Sequence, residues 1–240
     1  MTPGNETAAG GIRERNRAAI EAEILRLGHL HLAEYGAAAL SLRAIARDLG
    51  MASSALYRYV ASRDELLTLL IVDAFNSLAD EVDADLASLP ARRRSPGQQF
   101  RAISVALRRW ALANPHEFAL IYGSPVPDYR APEEQTNEPG TRVVRHLAGL
   151  LSQSRSRRRG ENRAVSAAGR QLAPVLADPM FDDLEVEPND LVRGLAAWSL
   201  VVGAVTAEVF EQNGPNLSLD PGVHFEAMVA LANSLVFERD

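Results

Sequence analysis

The sequence predicts an all-α protein, with a small three-helix domain at the N-terminus followed by a larger helical body. Three observations carry this. Apolar residues recur at three- and four-residue spacing along most of the chain. No segment shows the alternation of β-branched and polar residues that marks a strand. Composition agrees: apolar residues make up 47%, aromatics only 6%, and alanine and leucine dominate. At 240 residues the chain has room for one small and one larger core.

Residues 1–11 read as a tail rich in Gly, Thr and Ala. Ile20, Ile24, Leu27, Leu30 and His31 then mark a first helix over about 15–35, stopped by Gly36. Ser41 is placed to cap a short second helix, Leu42–Leu49, which Gly50 ends. Ser53 is placed to cap a third, running to about Tyr59. Ser62 with Glu65 three residues on forms a capping box, opening a fourth helix to about Leu89. The prolines and glycine of 90–97 predict a loop. A fifth helix carries Phe100, Ile103, Leu107 and Trp110, and Asn114-Pro115 starts a short sixth over Glu117–Tyr122. A long loop over 123–140 precedes a helix from about Thr141, which fades in the arginine-rich run 154–160. Another covers about 161–177, and 178–188 is loop. The apolar end of the chain then forms one helix over about 189–213 and a last one capped by Asp220-Pro221.

The segment from Ser41 to Leu67 carries the chemistry. Two short helices flank a tight glycine turn, with Ile45, Leu49, Leu56 and Val60 inward and Arg43, Ser53, Ser54, Arg58 and Tyr59 able to face out. This is a helix-turn-helix, whose second helix fits the major groove of duplex DNA. The small residues Ala52, Ser53, Ser54 and Ala55 permit close approach to base edges, and the helix's first amides favour a phosphate. Charge is distributed accordingly. Residues 1–63 hold eight arginines against six acids, a net +2, while the rest of the chain is −8 within a total of −6. Every basic residue is arginine.

Leu42-Arg43-Ala44-Ile45-Ala46, Gly50-Met51, Ala55-Leu56-Tyr57-Arg58-Tyr59-Val60 and Ser62-Arg63-Asp64-Glu65-Leu66-Leu67 together resemble the tetracycline-repressor (TetR) family over about residues 15–67. The resemblance implies that Ser41, Tyr57, Tyr59 and Arg63 hold phosphates and that Arg43, Ser53, Ser54 and Ala55 lie nearest the bases. Many relatives carry lysine or proline at the Ser53-Ser54 position, so here Arg58 and the arginines at 13, 15 and 17 would take up part of the phosphate contact. Arg47 reads as a surface residue beside Asp48. The run from Trp110 to Tyr129 resembles the ligand-binding, dimerising domain of a TetR subgroup sometimes named for its Trp, His and Gly.

The expected organisation is a DNA-binding domain over 12–62 and a ligand-binding and dimerisation domain over 63–240. Trp110, His116, Phe118, Tyr122 and Trp198 are the candidate ligand residues, converging on an apolar pocket. Leu195, Val202, Val205, Val209, Phe225, Met228, Leu231 and Leu235 are the candidate homodimer interface. The expected partners are operator DNA, a small, mostly apolar effector and a second copy of the chain, with no membrane. The arginine runs at 92–94 and 155–159 sit in connectors and read as solvated loops.

Other classes fare worse. Without lysine the chain has no phosphate-loop lysine and no Schiff base, and without cysteine it has no thiol nucleophile, thiolate metal site or disulfide. The five histidines lack metal-ligand spacing, and His29 and His31 read as surface or packing residues. No cofactor or metal is expected. No window reads as an unbroken membrane-length apolar stretch, and the start lacks a secretory pattern, so a cytoplasmic location is expected. A helical sensor that binds protein instead of DNA is the remaining alternative.

Overall fold

The structure is a computed structural model and describes residues 6–153, 162–214 and 220–237. Among these are ten α-helices and no strand. They are α1 (Glu6–Tyr35), α2 (Leu42–Asp48), α3 (Ser53–Leu56), α4 (Arg63–Ser88), α5 (Pro96–Ala113), α6 (Pro115–Tyr122), α7 (Glu133–Gln153), α8 (Arg163–Leu172), α9 (Pro188–Val209) and α10 (Pro221–Val236).

Three helix starts, those of α4, α8 and α10, follow the capping chemistry. At Ser62 the hydroxyl accepts from the Glu65 amide at 3.0 Å, and the Glu65 carboxylate reaches back to the Ala61 amide at 2.5 Å. Asp220 Oδ1 accepts from the amides of Gly222 and Val223 at the start of α10. Asn162 does the same for α8. Ser41 does sit at the N-cap of α2, but its side chain caps nothing, and α3 is capped in position by Ala52 instead of Ser53.

Other boundaries differ from expectation. α1 begins at Glu6, so the expected tail is helical from there, and Met1–Asn5 lie outside the described residues. α7 begins at Glu133 and runs through Pro139, eight residues earlier than proline and glycine suggested. Pro139 lies in the second turn, where its missing N–H removes one hydrogen bond and leaves the rest of the ladder intact. The arginine run at 155–159 lies outside the described residues, and Arg92–Arg94 are exposed in a short 3-10 turn. α9, at 22 residues, is long and apolar enough by length and composition to cross a membrane, which corrects the expectation that no such stretch exists. In this chain it packs against α5, α8 and α10.

The chain divides into two compact units. One holds the residues up to Ala74 together with His116–Thr136; the other holds Phe75–Pro115 and Asn137–Asp240. This differs from the expected break at 62/63, and burial explains why. Leu66, Leu67 and Leu70 of α4 are fully buried in the same cluster as Ile24, Ile45, Leu56 and Val60, so the first half of α4 belongs to the DNA-binding unit. Leu120, Val126 and Tyr129 pack against that cluster from the 116–136 segment. Gly28 lets α1 come close to α4, since a Cβ there would stand 3.0 Å from the Leu70 side chain.

Gly50 holds φ +65°, and its amide donates to Arg47 O while the Met51 amide donates to Ala46 O, closing α2 in a Schellman motif. No atom stands within 4 Å of a Cβ built at Gly50. Gly50→Ala therefore costs only the left-handed backbone, about 1 kcal/mol, whereas Leu56→Ala empties a fully buried site and costs roughly 2–5 kcal/mol. Urea denaturation of the two variants should show that ranking.

Candidate nucleic-acid interface

The DNA-binding unit is built around its own core. Ile45 and Ala46 of α2, Leu56 of α3 and Val60 just beyond it are almost wholly buried with Leu66 and Leu67 of α4. A four-residue helix has one face to spare once Leu56 is inside. That face carries Ser54, and the turn that follows, where a helix to Tyr59 was expected, carries Tyr57 and Arg58, all exposed, with Ala52 exposed at the start and Ser53 and Ala55 half-buried. Tyr57 retains 46% of its surface. Arg43 is exposed on α2, and Ser41 is half-buried. Neither Arg43 nor Arg58 enters an ion pair among the described residues, in contrast to Arg17, Arg26 and Arg47. Two uncompensated guanidinium groups beside an exposed tyrosine, above small side chains, are what a phosphate-and-base surface requires.

Two of the expected contacts have other surroundings. Tyr59 packs partly against the core, with the Arg17 guanidinium 5.9 Å from its ring centroid. Arg63 Nη2 donates to Ala37 O at 2.9 Å and reaches Ala38 O at 3.4 Å, tying the start of α4 to the 3-10 turn Ala37–Ala39. A guanidinium so engaged has less to offer a phosphate. Arg47 lies beside Asp48 at 3.3 Å, as its neighbour in sequence suggested.

Two histidines that the sequence left as surface or packing residues hold this unit together. His31 is buried, donates or accepts at 2.7 Å with Asp48 Oδ2 and meets the Tyr35 ring edge-on, so α1 is pinned to the end of α2. The hydrogen bond from His31 holds the Asp48 carboxyl below the usual carboxylate range, although desolvation opposes it. His29 lies between Asp73 of α4 and Glu117 of α6. The partners are 17, 44 and 88 residues away in sequence, a separation at which no motif spacing could have announced them.

In the other unit, a pocket partly open to solvent is lined by apolar side chains of α7 and α9, with contributions from Phe100, Phe181, Val236 and Phe237. Trp198 lines it; Trp110, His116, Phe118 and Tyr122 do not. The five candidate ligand residues are thus not brought together. Trp110 is buried with its indole N–H on Ser77 Oγ at 3.0 Å. His116, Phe118 and Tyr122 belong to the DNA-binding unit, where Phe118 is fully buried with its ring centroid 5.2 Å from that of Tyr122. Helical spacing marked the aromatic side chains as apolar but not which core each would join.

The candidate dimer residues divide similarly. Leu195, Leu231 and Leu235 are exposed, and Val202, Val209 and Met228 are half-buried. Val205 and Phe225 are buried within the chain itself, Phe225 under the Arg108 guanidinium, so they cannot form an outer face.

Comparison with known proteins agrees with this geometry. Residues 24–70 match the family model described as bacterial regulatory proteins of the tetR family, and residues 100–232 match a tetracyclin repressor-like C-terminal domain. HTH-type transcriptional regulators of Mycobacterium tuberculosis and Mycobacterium bovis are 43% identical over 245 residues, covering 98% of this chain and 99% of theirs. The crystal structure of the regulatory protein SCO4313 is 34% identical with a TM-score of 0.71, covering 91% of this chain and 97% of that one. A TetR-family regulator from a Shewanella species shares the fold at a TM-score of 0.57 and 18% identity, over 91% of this chain and 98% of that one. An exposed recognition helix on a buried four-helix core, matched from end to end by regulators of one kind, makes this chain a member of the TetR family of DNA-binding transcriptional regulators, which bind DNA and catalyse nothing.

Proposed function

We propose that the chain is a ligand-responsive repressor that binds a near-palindromic operator as a homodimer and leaves it when a small, mostly apolar effector occupies the body. The observation that carries the reading is the exposed face of α3. Ser54, Tyr57 and Arg58 point outward because Leu56 and Val60 are locked inward. In this reading Tyr57, Arg58 and Arg43 neutralise phosphates, with Ser41 and Tyr59 at the margin, while Ala52, Ser53, Ser54 and Ala55 face the base edges. Arg63 acts chiefly by holding the turn before α2.

Dimerisation is supported by the apolar surface of the last two helices. Leu195 on α9 and Val223, Leu231 and Leu235 on α10 all keep at least 40% of their surface, more exposed hydrocarbon than a solitary chain carries without reason. Two-fold pairing through this face would space two recognition helices about one DNA turn, roughly 34–36 Å, or a multiple. The effector site is supported by the cavity at Trp198. Its lining offers Phe100, Leu147, Leu151, Phe181 and Leu191 but no charged side chain, the apolar character expected of a small-ligand site. The ligand class that fits is an uncharged hydrocarbon or aromatic body, with any polar group left at the mouth. Binding there weakens operator affinity, and operator weakens effector binding by the same factor, with a coupling of roughly 1–3 kcal/mol.

Selection of bound duplexes from a random pool tests the DNA reading, and recovery of no enriched, two-fold-related half-sites would remove it. On the selected operator, Arg58→Ala lowers affinity for all sequences and reduces the slope of log affinity against log salt by about 1 per half-site. Ser54→Ala instead changes which bases are preferred while leaving the slope alone. Mobility-shift titrations at several salt concentrations separate the two.

Ala148 lines the cavity and is 3% exposed. Ala148→Phe fills part of the space and abolishes binding of the neutral fluorophore N-phenyl-1-naphthylamine, with operator affinity retained. Undiminished fluorescence in that variant would place the ligand elsewhere.

A further inference from the structure

We infer that the His29 ring is a two-sided charge clasp, a positioning device that fastens both α4 and α6 inside the DNA-binding unit. The backbone passes from one compact unit to the other within α4, after Ala74, and returns near the start of α6, before His116. His29 of α1 stands beside both of these crossings. Its Nε2 is 2.7 Å from Oδ2 of Asp73, one residue before the first crossing. Its Nδ1 is 3.0 Å from Oε1 of Glu117, one residue past the second. The second approach is an ion-pair contact without hydrogen-bond alignment, and Nδ1 is otherwise buried and unpartnered. The His29 and Glu117 side chains are about four-fifths shielded from solvent, at 21% and 18% exposed.

A neutral imidazole carries one N–H and one lone pair, so it satisfies a single carboxylate and presents a lone pair to the other. Only the imidazolium suits acids on both sides. The charged groups acting on the ring are Asp73 from α4 and Glu117 from α6, with His116 acting on Glu117 in turn. Burial works against the charge, but the two carboxylates win and raise His29 to about 9. Glu117 is lowered in the same exchange, although its own desolvation opposes the shift.

The sign follows from linkage. A histidine raised from 6.5 to about 9 contributes stability that is complete below 6.5 and lost as pH climbs past 9. At neutral pH the clasp is therefore closed, and it acts as a standing lock. It has help from one hydrogen bond, between Thr68 Oγ1 and the Tyr129 hydroxyl at 2.9 Å, and from the packing of Leu120 and Val126 on the core. Together these hold the 116–136 segment on the DNA-binding unit. Loss of the clasp would free that segment and the α6 end first, because His29 is the group that ties the Glu117 carboxylate to α1.

The full-length protein tests this. Trypsin cuts only after arginine here, because the chain has no lysine, and Arg130 is an exposed residue of the held segment. At pH 7.5, His29→Gln and Glu117→Gln should each speed cleavage after Arg130 on the order of ten-fold, the equivalent of one pKa unit of linkage. Wild type should approach the same rate, normalised to a free peptide, as pH is raised beyond 9. The His29 ring, followed by NMR, should titrate far above its ordinary 6.5 in wild type and fall towards it in Glu117→Gln. Operator binding by Glu117→Gln should weaken with an unchanged salt slope, since no phosphate contact is removed. The proposal is overturned if both variants leave Arg130 cleavage unaltered, or if the ring titrates near 6.5. Should His29→Gln not fold, Glu117→Gln carries the test, because it keeps the histidine and its bond to Asp73. The proteolysis and NMR arms stand even where no operator is found.

Discussion

A helix of seven residues followed by one of four has no stability of its own, because each pays the cost of nucleation and recovers few hydrogen bonds. The recognition surface of this protein exists only because Ile45, Leu56 and Val60 are buried against Ile24 and Leu27 of α1 and Leu66, Leu67 and Leu70 of α4. That burial decides which way α3 faces. With Leu56 and Val60 inward, the helical period leaves Ser54, Tyr57 and Arg58 outward, and nothing else in the chain needs to specify their direction. Gly50 makes the arrangement possible by reversing the chain within one residue at positive φ.

Polar contacts refine what the apolar core permits. His31 with Asp48 joins α1 to α2, Arg63 with the Ala37 carbonyl joins α4 to the turn before α2, and His29 with Asp73 and Glu117 joins α1 to α4 and α6. Each crosses between elements that hydrocarbon alone would let slide. The DNA-binding unit thus spends one arginine and two histidines on its own geometry and leaves Arg43 and Arg58 exposed and outside any ion pair among the described residues. The body's ion pairs, such as Arg108 with Glu208 and Arg109 with Asp85, likewise lie between helices, and the body keeps an apolar pocket open beside Trp198.

Much of this was legible in the residues. The capping box at Ser62–Glu65, the Asp220 cap, the proline at the head of α6 and the glycine closing α2 are local signals, and each appears where its chemistry requires. The inward and outward faces of α2 and α3 follow from spacing alone. The start of α7 did not: Pro139 and Gly140 look like a loop to any local rule, yet Pro139 is buried within a helix whose first turn is closed on the Pro132 carbonyl. Nor did the fate of Phe118 and Tyr122. Their apolar character was plain, but they fall in the DNA-binding unit and do not line the cavity.

By itself, then, the amino-acid order determined the helical class, the helix-turn-helix and the outward set of small, tyrosine and arginine side chains, because all of these depend on contacts within a few residues of one another. Only the tertiary structure decided that α4 is shared between two units, that Val205 and Phe225 are spent inside the chain, that Trp198 alone of the candidate aromatics faces the cavity, and that His29 meets two acids from distant helices. Those outcomes turn on which buried surfaces meet after the chain has folded back on itself, and side-chain period says how apolar a face is without naming the face it will cover.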